Sequence, residues 1–119
     1  AIGDAHLFGG DGVRAELAFA ESVRLLYGTG AHQRLPWPLA GLAAVSADRG
    51  EVIRAATLWS AVSALRAQTN SGDHTMTLKL IRERVEAACA RLSEAARTAA
   101  ERAGRAMNTD ETVAFALAD

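Results

Sequence analysis

The chain has 119 residues, half of them hydrophobic but only 5% aromatic, with 13 basic against 14 acidic residues and a net charge of −1. That near-cancellation argues against non-specific nucleic-acid binding and against a polybasic membrane surface. A lone cysteine, Cys89, rules out an intrachain disulfide, and no stretch approaches the roughly 20 apolar residues of a membrane span.

Much of the apolar content is alanine, the best helix former and a poor strand former, so the class expected is all-α. Arginine replaces lysine almost everywhere, Lys79 being the only lysine, which together with the alanine excess points to a GC-rich, bacterial coding sequence. The start lacks the charged and continuously apolar run of a signal peptide, and a cytoplasmic location is expected. The first residue is Ala1 rather than methionine, so the chain is expected to be part of a longer protein.

Residues 1–9 read as the end of a preceding helix, closed by Gly9-Gly10-Asp11-Gly12. A helix is expected from Asp11 to Tyr27, with Val13, Leu17, Ala20, Val23 and Tyr27 on one face and Leu26 broadening it. Gly28-Thr29-Gly30 should stop it. Pro36-Trp37-Pro38 starts the next helix, since proline fits a first turn, and Leu39, Leu42, Ala43 and Val45 carry it to Arg49-Gly50. A third runs from Glu51 to Gln68, its wide apolar side built of Ile53, Ala56, Leu58, Trp59, Val62 and Leu65.

After the breaker run Thr69-Asn70-Ser71-Gly72-Asp73, Asp73 or Thr75 caps a helix whose stripe is Leu78, Ile81, Val85, Cys89 and Leu92. A break near Ser93 separates it from an alanine-rich helix reaching Met107, where Arg97, Glu101 and Arg105 are spaced for i,i+4 pairing. Asn108-Thr109-Asp110-Glu111 has the form of a capping box ahead of a last short helix carrying Val113, Ala116 and Leu117.

One internal repeat stands out. Gly10, Asp11, Arg14 and Ala15 recur as Gly50, Glu51, Arg54 and Ala55, and Phe19 and Trp59 follow at matching positions. In physical terms the glycine turns the chain and the acid sits at the positive end of the next helix. The alanine permits close packing, and the aromatic fills the space between neighbouring hairpins. Such a unit, about 40 residues long, falls within the range of helical-hairpin solenoids, whose units bury their apolar faces on their neighbours.

The stretch from Leu42 through Asp48-Arg49-Gly50-Glu51 to Arg54-Ala55-Ala56, Leu58-Trp59-Ser60-Ala61 and Ala64-Leu65-Arg66 resembles the C-terminal tetratricopeptide-like region of large bacterial regulatory ATPases, including LuxR-type transcriptional regulators. Gly104-Arg105-Ala106-Met107 followed by Glu111-Thr112-Val113-Ala114 is similar to the way that region closes. At Leu92-Ser93 the chain departs from the leucine-glycine of that family. The resemblance implies a single domain over 1–119 of tetratricopeptide-like hairpins stacked as a short α-solenoid of five to six helices. Its units would be 10–49 and 50–72, with C-terminal helices and a cap over 73–119. It also implies a role in signal transduction inside a parent regulator, and brings no catalytic residue onto these positions.

Nothing in the residues points to an enzyme. His6, His32 and His74 are isolated, so no metal site is expected, and Cys89 among alanines reads as a small buried residue. Gly9-Gly10-Asp11-Gly12 lacks the Gly-Lys-Ser/Thr ending of a phosphate loop, and no cofactor is expected. Trp37 is open to two readings, a packing residue or an exposed anchor for a partner, and with Tyr27, His32 and Arg34 it marks a candidate contact surface. The expected function is a non-catalytic scaffold for protein–protein or interdomain contacts. The alternatives are a stand-alone peptide- or protein-binding adaptor and, further off, a small-ligand-binding helical domain. Partners would be other domains of the parent protein, a protein or peptide, or a second copy meeting an uncapped repeat end, with no direct contact to nucleic acid or membrane.

Overall fold

The computed structural model describes residues 12–30, 34–69 and 76–118, and the regular structure within them is helical throughout. The helices are α1 (Gly12–Gly28), α2 (Pro36–Asp48), α3 (Val52–Thr69), α4 (Met76–Cys89), α5 (Glu94–Arg105) and α6 (Thr109–Leu117). The helix end expected over 1–9 and the caps expected at Asp73 or Thr75 lie outside the described residues.

The ends of these helices follow from local chemistry. At the end of α2 the Gly50 N–H bonds to the Ala47 carbonyl at 3.1 Å and the Glu51 N–H to the Ser46 carbonyl at 2.9 Å. This is a Schellman closure, and it needs the positive φ of 82° that Gly50 adopts. The expected break after Leu92 is present. Ser93 is extended at φ −64°, ψ 157°, and its hydroxyl accepts the Ala96 N–H at 3.2 Å, which starts α5. Asn108 and Glu111 form the reciprocal capping box of α6, at 2.8 and 3.1 Å.

Two helices form the centre. Proline opens α2, and from Pro38 to Ser46 all its residues are buried. A helix that is apolar all round must be enclosed, and α2 packs against α1, α3, α4 and α6. In turn α3 packs against α2, α4, α5 and α6. The bundle measures 37 × 31 × 28 Å, because α6 folds back to touch α1, α2 and α3 instead of lengthening the stack.

Close approach, more than bulk, joins α5 to α3. Of α5 only Ala100 and Gly104 are buried. A Cβ added at Gly104 would collide with the Thr57 carbonyl and come within 2.7 Å of the Ser60 Cβ. The two backbones are therefore nearly in contact, and the Ser60 hydroxyl donates to the Glu101 carbonyl at 2.7 Å across the gap.

Of the stripe expected over α4, Ile81, Val85 and Cys89 are buried and Leu92 is half-buried in the turn that follows, while the side chain of Leu78 lies outside the described residues. The stripe of α1 does not fall where expected. Ala15, Phe19 and Val23 face the core, whereas Val13 and Leu17 are 63% and 62% exposed. The helix carries two overlapping apolar rows, and Phe19 decides between them, because its ring fills the slot left by the missing side chain of Gly41. Ile53 of α3, expected in the core, is likewise exposed.

Candidate functional site

The four residues of the expected contact surface end in different roles. His32 lies outside the described residues, and Arg34 is exposed just before α2. Trp37 is half-buried in the first turn of α2, where its ring meets Phe19 edge-to-face at 5.8 Å and 72°. Such a pair adds roughly 0.5–1.5 kcal/mol beyond its area burial. Tyr27, at the C-terminal end of α1, donates its hydroxyl proton to the Asp110 carboxylate in the first turn of α6. That hydrogen bond, followed by desolvation and the negative charge of Asp110, raises the phenol above its ordinary range.

The two occurrences of the repeat share some roles and differ in others. Gly10 lies outside the described residues, and Gly50 makes the closure of α2. Ala15 and Ala55 are both fully buried at the fourth residue of α1 and α3, and four residues later Phe19 is buried and Trp59 half-buried. Arg14 is exposed. Arg54 instead closes the far end of the chain, since its guanidinium donates to the Ala116 and Ala118 carbonyls, both at 2.9 Å. It also stands 5.3 Å over the Phe115 ring. A cation on the orphan carbonyls of a helix C-terminus offsets both their missing partners and the negative end of the dipole. No sequence signal pointed to this pairing across 62 positions.

A groove of about 430 Å³ runs between α3, α4 and α5, lined among others by Trp59, Glu86, Cys89, Arg97 and Glu101. Burial pushes the Cys89 thiol up; Arg97 pulls it down, while Glu101 and Glu86 add to the rise. The thiol is therefore poorly suited to nucleophilic chemistry, which needs the thiolate. Arg97 and Glu101 close on each other at 3.1 Å along α5. Among the described residues no three His, Cys, Asp or Glu side chains converge as metal ligands, and no helix is long and apolar enough to cross a membrane.

The outer side of α1 offers solvent three aliphatic side chains among the exposed charges of Arg14, Glu21 and Arg24. Val13, Leu17 and Leu25 of α1 are each 62–63% exposed, and at 100° per residue they share the outer half of that helix. The sequence pattern had flagged Val13 and Leu17 as apolar face residues, but the side they face was set by Phe19. No protein-family model, curated protein or solved structure matches the chain.

Proposed function

We propose that this chain is a non-catalytic helical scaffold, a tetratricopeptide-like segment of a bacterial signal-transduction or transcriptional regulator, whose work is protein–protein or interdomain contact. The observation that carries the proposal is the aliphatic outer face of α1, with Val13, Leu17 and Leu25 open to water. Exposed apolar side chains mark a contact surface where they lie together, as Val13 and Leu17 do one turn apart on α1. The hairpin reading draws on the equivalent buried positions of Ala15 and Ala55, and on the packing of α2 on α4 and α3 on α5 as well as on their direct neighbours. The partner sought is another domain of the same protein. A second copy of the chain is the next occupant to test.

The first test is the gene on either side of the segment. An upstream nucleotide-binding module and a downstream helix-turn-helix support an internal scaffold; a start codon directly before Ala1 and a stop after Asp119 support the stand-alone adaptor. The second test is hydrogen exchange of the parent protein against the segment alone. Added protection over 13–25 that a Leu17→Glu variant removes, while its folding free energy moves by less than about 0.5 kcal/mol, is expected. Equal protection in both proteins would remove the basis of the proposal.

A further inference from the structure

A second groove, between α1 and α6, has a floor that helix packing does not explain. There α2 presents Leu42 and Ser46, flanked by Leu17 and Ala20 of α1 and Leu117 of α6. Its volume of about 370 Å³ is at the small end for small-molecule sites, roughly 300–1,000 Å³.

Among the described residues three hydroxyl side chains are buried, those of Ser46, Thr57 and Thr112. Thr57 donates to the Ile53 carbonyl and Thr112 to the Asn108 carbonyl, each at 2.8 Å. Ser46, only 4% exposed, has no side-chain hydrogen bond among the described residues, and it lines the cavity. A buried hydroxyl without a partner is unfavourable and calls for one.

The charges at the mouth are unequal as well. Among the described residues that line it, three arginines and two glutamates leave one net positive charge. Glu16 is paired with Arg49, Glu51 is exposed just before α3, and Arg54 keeps its charge while donating to the carbonyls of α6. Arg24 has no ion pair among the described residues. A spare guanidinium, an unused hydroxyl and aliphatic walls together describe a receptor for a small organic anion with an apolar body.

We infer that the groove between α1 and α6 binds a small aliphatic monocarboxylate, its head taken by Arg24 and the Ser46 hydroxyl and its body laid over Leu17, Leu42 and Leu117. Leu17 borders both this groove and the outer face of α1, whereas Leu42 and Ser46 line the groove alone, so loss of hexanoate binding in Ser46→Ala reports on the groove and not on the docking surface. The test is a nuclear magnetic resonance titration of the intact chain with hexanoate, using hexanol and hexylammonium for comparison. Hexanoate is expected to give saturable shifts in the amides of 16–24, 42–49 and 113–118. Arg24→Gln and Ser46→Ala should each weaken it about tenfold, the scale of a lost hydrogen bond to a charged group, and hexanol and hexylammonium should bind at least that much more weakly. Arg24 is exposed and Ser46→Ala removes one oxygen from a helix, so both variants should fold, which circular dichroism checks. No saturable shift, shifts centred elsewhere, equal binding of hexanol, or undiminished binding by both variants would overturn the inference.

Discussion

Tyr27 is the only tyrosine in the chain, which makes its hydrogen bond to Asp110 directly readable. The bond requires the protonated phenol, so folding raises its pKa. Its contribution to stability is complete below the unfolded value near 10 and is lost as pH rises through the higher folded value. Ultraviolet titration of the native chain should therefore give a phenol midpoint above that of the chain unfolded in denaturant, and Asp110→Asn should bring the native midpoint down. An unchanged midpoint in the variant would assign the shift to something other than this bond. The sequence singled out Tyr27 and Trp37 because aromatics are scarce here, and weighed packing against exposure for Trp37. It held no sign of the partner of Tyr27, 83 positions away, since a side-chain bond between distant helices leaves no periodic trace.

Helix boundaries were the most legible feature, because caps are written in neighbouring residues. Ser93, Asn108 with Glu111, and Gly50 each closed or opened a helix where their chemistry demanded. Faces were less legible. In α1 two rows of apolar residues compete, and the choice depends on Gly41 in another helix. The crossing of α5 over α3 was hidden for a similar reason, as Gly104 carries no side chain to enter a pattern. Replacing it sets two effects against each other. Gly104→Ala gains about 1 kcal/mol of helix propensity but drives a methyl into the Thr57 backbone, and overpacking costs roughly 1–3 kcal/mol. Because the obstacle is backbone and cannot swing aside, net destabilisation of about 1 kcal/mol or more is expected in urea unfolding. A variant as stable as the parent would mean that α5 can move off α3 cheaply.

For the molecule as a whole, composition was enough for an all-α chain, while its three-dimensional grouping was not readable from spacing. The returning α6 is tied to α3 by Arg54 on the carbonyls of Ala116 and Ala118, and to α1 by the Tyr27–Asp110 bond. In the sequence that arginine counted only as part of a repeat. The enclosure of α2 has a consequence for how the protein opens. Its amides over 39–45 should exchange with solvent only through global unfolding, and their exchange free energies should fall with urea as steeply as global stability does. Exchange insensitive to urea would show that α2 escapes by a local route. Four neighbouring helices must separate before α2 meets water, and once they have, a segment apolar on every side stands bare. A protease or a chaperone that acts on α2 thus depends on the moments when its neighbours have all let go.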